Sequence, residues 1–132
     1  MKNFSYRIYY EDTDAGGVVY YANYLKFFER ARTDFLRVNG ISQTDLAAKE
    51  NIFLVVRKCE IEYISPAKLD DLIEVSVAMK EMRFASFLME QKLTRDKKIL
   101  SHLNVEIVCV DSKNFKPKRI SGNLLKQLTT NN

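Results

Sequence analysis

The sequence is poor in the residues that hold metals and cross-links: its 132 residues include two cysteines and one histidine. No His/Cys cluster has the spacing of metal ligands, so the sequence predicts no metal site. Cys59 and Cys109 both lie in apolar, strand-like runs, and we expect buried free thiols rather than a disulfide. The four glycines form neither a phosphate-binding loop nor a dinucleotide fingerprint, and no serine stands in a nucleophile elbow.

Long apolar segments are also missing. No run approaches the roughly 18 apolar residues that a membrane-spanning helix needs. The first residues, "MKNFSYRIYYEDTD", lack the apolar core of a signal peptide, and we therefore expect a cytoplasmic protein. The chain is 46% hydrophobic and 29% charged and has no internal repeat, linker or low-complexity stretch. Residues 1–132 are therefore predicted to form one domain.

Positive charge is in modest excess, with a net charge of +4 and a pI near 9.0. This balance suits an anionic partner such as nucleic acid, an acidic carrier protein or a phosphate-bearing cofactor. The cations cluster in "KNFKPKR" (113–119), whereas the acids Glu11, Asp12 and Asp14 precede a pair of glycines. The basic stretch has two interpretations, a solvated loop and a phosphate contact.

Hydrophobic periodicity divides the chain into one helical and several β-rich parts. The stretch "FSYRIYY" (4–10) alternates and predicts a first strand. The stretch "YLKFFERARTDFLRVNG" has apolar residues at helical spacing and predicts a long helix, N-capped by Asn23 and ended by Gly40. Two short helices are predicted after the capping residues Ser42 and Ser121. Four long β-rich runs, joined by short turns, cover 52–65, 71–82, 84–96 and 98–112.

These elements predict an α+β architecture. Short turns favour an antiparallel meander of the last four strands. A long, half-apolar sheet and one apolar helix satisfy each other if the sheet curls around the helix. The sequence therefore predicts a hot-dog fold, a long central helix wrapped by a curved, five-stranded, mainly antiparallel sheet. Such an open sheet leaves edge strands, and we expect a partner subunit to pair with one of them.

The segment "YYEDTDAGGVVYYANYLKFF" (9–28) places a carboxylate and a glycine turn before a helix N-terminus. The carboxylate of Asp14 can act as a nucleophile or as a general base for water. Gly17 allows close approach of the backbone, and the first N–H groups of the helix can stabilise developing negative charge. We interpret Glu11 and Asp12 as local structure, with Asp12 in an Asx-type turn. The alternative is that the whole segment is only a turn.

The same segment resembles the signature of the hydroxybenzoyl-CoA thioesterase family of hot-dog enzymes. Within that family it is most similar to the Tol-Pal-associated (YbgC-type) acyl-CoA thioesterases, and the similarity covers nearly the whole chain. The resemblance implies that Asp14 is the catalytic aspartate, that Gly17 is the elbow glycine and that the backbone N–H of Tyr21 polarises the thioester carbonyl. Many Tol-Pal-associated members have a histidine where Tyr21 stands, which argues against a mechanism that needs an imidazole there.

Other residues are candidates for substrate binding. Arg57, Lys58, Arg83 and the basic stretch 116–119 are candidates for the phosphates of coenzyme A, although a surface cation is the favoured interpretation of each one alone. Ser86 stands where many relatives have a serine or threonine near the acyl-CoA pocket. The predicted substrate-binding set is Tyr20, Asn23, Arg57, Lys58, Arg83 and Ser86.

Two further titratable residues receive structural interpretations. A sister clade of hot-dog thioesterases places its catalytic glutamate where Glu29 lies. Here Arg32 follows at i+3, and we expect an exposed Glu29–Arg32 ion pair. His102 lies in the middle of a predicted strand and is interpreted as a structural residue.

The sequence therefore predicts a hydrolase that cleaves short- to medium-chain or aromatic acyl-CoA thioesters by carboxylate catalysis. Coenzyme A is part of the substrate, and no separate cofactor is expected. The resemblance implies a homotetramer, a dimer of dimers with sites at subunit interfaces, and acyl-carrier protein is a further candidate partner. One alternative is a non-catalytic module on the same fold that binds acyl-carrier protein or an envelope complex. A basic RNA-binding domain is disfavoured because no strand carries the exposed aromatics that stack on bases.

Overall fold

Alternating apolar and polar residues produce a five-stranded sheet in residues 2–130, the part of the chain that the computed structural model describes. Its strands are β1 (Lys2–Arg7), β2 (Ile52–Tyr63), β3 (Leu72–Met82), β4 (Ser86–Arg95) and β5 (Lys98–Asp111). Its α-helices are α1 (Asn23–Val38), α2 (Gln43–Glu50) and α3 (Gly122–Thr129), and a single 3₁₀ turn covers Tyr10–Asp12. None of the helices among the described residues is long and apolar enough to cross a membrane.

The core lies between α1 and the concave face of the sheet. Phe27, Phe28, Ala31 and Phe35 recur at helical spacing along α1, and all four are buried. They form one cluster with inward-facing side chains of the strands, namely Ile73, Val75, Val77, Phe87, Met89, Leu93, Leu103 and Val105. Each buried aromatic or aliphatic side chain contributes roughly 1.5–3 kcal/mol. The predicted α+β hot-dog fold, a long helix wrapped by a five-stranded antiparallel sheet, is therefore confirmed.

The strand order corrects one prediction. The sheet runs β1-β3-β4-β5-β2, so β3, β4 and β5 form a meander, but β2 pairs with β5 and has no contact with β3 in the ladder. The segment 64–71 is a crossover rather than a hairpin turn. Two hydrogen bonds of Ala67 hold it against the start of α1 and the segment before it: the Ala67 carbonyl accepts from Val19 N–H, and the Ala67 N–H donates to the Tyr24 hydroxyl. As a result, β1 and β2 are the two edges of the sheet.

The cysteines are free, but they differ in exposure. Cys109 on β5 is buried and its burial raises the pKa of the thiol, as expected of a core cysteine. The prediction that Cys59 is also buried is wrong, because Cys59 lies on the edge strand β2 and is exposed. Residues 55–60 of this strand are all exposed, although the run is rich in apolar residues.

Candidate active site

Asp14 is the first residue of a tight turn in the acidic, glycine-containing segment 11–19 before α1, which we call the elbow. The turn is closed by Gly17 N–H, which donates to the Asp14 carbonyl, and by Asp14 N–H, which donates to the Val18 carbonyl. Gly17 has φ +79°, in the left-handed region that glycine adopts without strain. The carboxylate Oδ1 of Asp14 accepts from Gly16 N–H at 2.8 Å, and the residue is exposed. The Asx-type bond assigned to Asp12 is therefore made by Asp14, whose carboxylate is held in place and accessible.

Asp12 fixes the elbow from inside. Its buried carboxylate accepts from Tyr9 N–H at 2.8 Å, and its carbonyl accepts both from Tyr20 N–H and from the side-chain amide of Asn23. The prediction that Asn23 is the N-cap of α1 is wrong. Ala22 occupies the cap position and Asn23 is the first helical residue, whose side-chain amide donates to the Asp12 carbonyl and does not cap the helix. Asn23 therefore ties the start of the helix to the elbow.

Four tyrosines cover the side of the elbow. Tyr21 and Tyr24 both make edge-to-face contacts with Tyr63, at 6.2 and 5.2 Å between ring centroids, and Tyr20 packs on Tyr21 at 4.8 Å. The Tyr63 hydroxyl donates to the Tyr21 carbonyl at 3.1 Å, and burial raises the pKa of Tyr63. The backbone N–H of Tyr21 makes no hydrogen bond within residues 2–130. It is thus a free donor just before the positive end of α1.

A shallow pocket lies beside these tyrosines. It has a volume of about 270 Å³ and is lined by Val19, Tyr21, Tyr24, Tyr63 and the start of the crossover at Ile64–Pro66. Its walls are mainly aromatic and aliphatic and include Tyr21, and such walls suit the acyl part of a substrate.

The predicted phosphate-binding cations lie on the face of the sheet opposite α1, where Glu106 alternates with the core residues Val105 and Ile107. Arg57 donates to both carboxylate oxygens of Glu106, at 3.0 and 2.8 Å, and Arg83 donates to Glu106 and Glu81. Arg57 and the other nearby cations hold the pKa of Glu106 below its ordinary value. Lys58 lies 3.7 Å from Glu60. Lys58 and Arg83 line a groove of about 420 Å³, and all three cations are already paired with acids.

Ser86 and His102 do not reach the elbow. Ser86 is buried at the start of β4, opposite Val108, and Phe87 after it faces the helix. His102 lies on β5, where its Nε2 is 2.7 Å from Glu90. The bond to His102 is the main cause that lowers the pKa of Glu90. This arrangement fits the structural interpretation of His102.

Sequence reasoning missed a second cavity, which lies beneath the middle of α1. Its volume is about 110 Å³, and its apolar walls are Leu36, Leu54, Val56, Phe87, Met89 and Ile107. The expected exposed Glu29–Arg32 ion pair is wrong, because Arg32 turns inward and donates to Gln91 at 3.0 Å, while Glu29 accepts from Thr33. A polar Gln91 at an inward position of a strand that is otherwise apolar there was the available sequence signal.

Groups of side chains that could hold a metal ion are absent from residues 2–130. The acids of the elbow do not converge, since Asp12 is buried and Asp14 is exposed at the start of its turn.

Comparison with known proteins gives a consistent result. A family model described as "Thioesterase-like superfamily" matches residues 9–128. "Acyl-CoA thioesterase YbgC" of Haemophilus influenzae is 47% identical over 115 residues, which are 87% of this chain and 85% of that protein. A Helicobacter pylori protein of the same name is 34% identical over 113 residues, covering 86% of this chain and 71% of its own length.

Solved structures agree with these relatives. A probable thioesterase from Bartonella henselae has a TM-score of 0.87 at 39% identity, covering 91% of this chain and 98% of that one. A variant of 4-hydroxybenzoyl-CoA thioesterase, complexed with 4-hydroxybenzoyl-CoA, has a TM-score of 0.90 at 17% identity over 97% of this chain and 98% of that one. At 17% identity, the similarity to 4-hydroxybenzoyl-CoA thioesterase shows a shared fold only.

The fold and these relatives thus define a thioesterase of the hot-dog class. The chain belongs to the thioesterase-like superfamily. The predicted resemblance to the YbgC-type members is confirmed by relatives of that name at 43–47% identity.

Proposed function

We propose that this protein is an acyl-CoA thioesterase that uses Asp14 to hydrolyse short- to medium-chain or aromatic acyl-CoA. The observation that carries the proposal is the elbow itself. An accessible carboxylate is fixed by Gly16 N–H and the turn at Gly17, immediately before the start of α1 and the free N–H of Tyr21. The relatives named acyl-CoA thioesterases support the same activity.

The chemistry needs a nucleophile and a stabilised oxyanion. Asp14 either attacks the thioester carbon directly, giving a mixed anhydride that water then cleaves, or removes a proton from the attacking water. In both routes the C–S bond breaks, the free acid forms and coenzyme A leaves as a thiolate, which needs little help from an acid. The Tyr21 N–H and the positive end of α1 stabilise the negative charge on the carbonyl oxygen. A single such donor contributes about 3 kcal/mol in other enzymes.

Substrate contacts follow from position. Tyr20 and Asn23 flank the elbow, so they are proposed to contact the part of the substrate next to the thioester. Arg57, Lys58 and Arg83 remain proposed phosphate contacts, for which they must exchange the carboxylates of Glu106, Glu81 and Glu60 for phosphate oxygens. Ser86 does not line the cavity beneath α1, but the next residue, Phe87, does. Ser86 is therefore proposed to affect substrate binding indirectly, by positioning Phe87.

We further propose a dimer in which the β2 strands of two copies pair antiparallel. The outer edge of β2 has no backbone partner among the described residues, and twelve residues of ladder are available there. The strand has a bulge between Val56 and Lys58. Before it Leu54 and Val56 face the helix, and after it Cys59 and Ile61 do so. A pairing centred on the strand therefore brings Leu54 against Ile61 and Val56 against Cys59, all on the same face.

This pairing makes the site composite. Within one chain, Val56 and Tyr63 lie about 23 Å apart along β2. The cavity beneath α1 adjoins Val56, whereas the elbow adjoins Tyr63 through the Tyr63–Tyr21 contact. Antiparallel pairing reverses the second strand, so the cavity of one copy lies beside the elbow of the other. A tetramer of two such dimers, a cytoplasmic location and an association with the Tol-Pal system are proposed from the resemblance.

Acyl-carrier protein is a second candidate partner. The loop 112–119 carries the exposed residues Lys113, Lys116 and Arg119 beside the exposed ring of Phe115, which packs on Phe53. An acidic carrier protein fits such a surface. The alternative to the enzyme is thus a module that binds the carrier without hydrolysing its thioester.

Thiol release from short-, medium- and long-chain and aromatic acyl-CoAs tests the proposal. Turnover by the wild type, with near-complete loss in Asp14→Asn, supports a thioesterase, and the preferred substrate gives the size of the acyl site. Undiminished turnover in Asp14→Asn moves the chemistry elsewhere. If neither protein turns over and both bind acyl-carrier protein equally, the binding module is correct.

A further inference from the structure

The cavity beneath α1 contains a cation that the proposed mechanism does not use. Its walls are apolar, but Arg32 and Thr33 of α1, with Glu29 and Gln43 near them, also line it. Arg32 is half-buried, and its charge faces a space of about 110 Å³. At about 30 Å³ for each water-sized group, the cavity holds three or four such groups.

The guanidinium of Arg32 is held by a neutral group. Its Nη1 donates to Gln91 Oε1 at 3.0 Å, and Gln91, which is fully buried, donates its own Nε2 to the Phe28 carbonyl at 3.0 Å. Arg32 forms no ion pair with any acid among residues 2–130, although Glu29 is one turn away. Burial lowers the pKa of Arg32, and the charge of Glu29, which makes no ion pair with it, offsets this effect only in part.

Such a group is unusual. Charged side chains that leave water are normally paired, because an unpaired charge in an apolar setting costs several kcal/mol. A guanidinium has five N–H donors in a planar fork that matches a carboxylate, and Gln91 occupies one nitrogen. A fixed arginine with free donors beside an apolar cavity suits a small anion on a short carbon chain.

We propose that Arg32 determines acyl specificity by binding a carboxylate at the far end of the acyl group. The preferred substrates are then monothioesters of short dicarboxylic acids. This inference rests on the proposed thioesterase function and names its substrate class.

The geometry limits how the substrate reaches Arg32. Within one copy, Arg32 lies nine residues beyond Asn23, about 13 Å along α1 from the helix start. A three- or four-carbon acyl group cannot span this distance from the elbow of the same chain. In the proposed β2 dimer the elbow of the second copy lies beside the cavity. The thioester is then held at the elbow of one copy while its carboxylate meets Arg32 of the other.

The experiment compares acyl-CoAs that differ at the far end. Malonyl-CoA is paired with propionyl-CoA, and succinyl-CoA with butyryl-CoA and 3-hydroxybutyryl-CoA, each corrected for spontaneous hydrolysis. The variants are Arg32→Gln, Arg32→Lys and the control Arg30→Gln, which removes the same charge from the exposed face of α1, where Arg30 packs on the Phe27 ring. Melting temperatures show whether each variant is folded.

We expect the wild type to prefer the carboxylated member of each pair. Arg32→Gln should raise KM for malonyl- and succinyl-CoA by about 10- to 100-fold and leave the uncharged substrates nearly unchanged. Arg32→Lys should fall between them, because it keeps the charge and loses the fork. Arg30→Gln should behave as the wild type.

Other outcomes overturn the inference. A wild type without preference for carboxylates, or a preference that survives in Arg32→Gln, means that Arg32 is structural. If 3-hydroxybutyryl-CoA is preferred over butyryl-CoA as strongly as succinyl-CoA is, Arg32 recognises an oxygen acceptor rather than a negative charge. Calorimetric binding of succinyl- and butyryl-CoA to Asp14→Asn, with and without Arg32→Gln, separates the two proposals. Binding that favours succinyl-CoA only when Arg32 is present sustains the inference even if no hydrolysis is found.

Discussion

Replacing Gly17 by alanine isolates the conformational cost of the turn that holds Asp14. Gly17 has φ +79°, and a Cβ added there meets no atom within 4 Å, so the substitution introduces strain without a clash. Gly122, the first residue of α3, also has open space for a Cβ but lacks a left-handed φ. It is the matched control.

The magnitude follows from the difference between the two variants. Both lose the same conformational freedom in the unfolded chain, which is worth about 0.4–1 kcal/mol and cancels in the comparison. What remains is the penalty for a Cβ in the left-handed region, about 1–2 kcal/mol. For a chain of this length, Gly17→Ala should therefore melt roughly 3–10 °C below Gly122→Ala.

Thermal unfolding by calorimetry or circular dichroism, at one protein concentration because the chain is proposed to self-associate, measures this difference. Gly17→Asn should recover part of the loss, since asparagine tolerates this region better than alanine. Equal melting temperatures for Gly17→Ala and Gly122→Ala would refute the reasoning, because the turn would then not require a left-handed residue.

Two further predictions concern the sheet. Because Arg57, with Arg83, holds the pKa of Glu106 below its ordinary 4.5, the folded state gains stability above that pH and loses it as the pH falls. Glu106→Gln should flatten the fall in melting temperature between about pH 5 and pH 3. The exposed control Glu60→Gln should flatten it less, and equal slopes would contradict the assignment. In the proposed β2 dimer Val55 lies opposite Glu60 of the second copy, so Val55→Glu should weaken the dimer and Val55→Lys should preserve it. Sedimentation equilibrium measures the dimer dissociation constant of each variant, and equal constants for the two variants would rule out this register.

Much of the fold could be predicted because local patterns determine it. The helical spacing of Phe27, Phe28, Ala31 and Phe35 predicted α1 and its buried face, and the four long runs all became strands. The strand order could not be read in this way. The segment 64–71 looks like a turn in sequence, and its role as a crossover depends on bonds between Ala67 and the distant residues Val19 and Tyr24.

The site was predicted in outline and missed in detail for the same reason. The elbow sequence located Asp14 and Gly17 next to the helix, but local chemistry did not show that Asp12 turns inward to Tyr9 while Asp14 makes the Asx bond. The spacing of Glu29 and Arg32 favoured an ion pair, and only the packing of α1 on β4 shows that Arg32 reaches Gln91 instead. Cys59 is exposed because β2 is an edge strand, and the alternation of apolar and polar residues does not show which strands are edges.

The most direct test of the account compares kcat for the preferred acyl-CoA in Asp14→Asn and Glu11→Gln. Both variants remove one exposed acid from the elbow, and Glu11 makes no side-chain hydrogen bond within residues 2–130. With both proteins folded and in the same oligomeric state, Asp14→Asn should lose about 10²- to 10⁴-fold in kcat. Glu11→Gln should stay close to the wild type. Equal activity of the two variants would contradict the claim that the Asp14 carboxylate performs the chemistry.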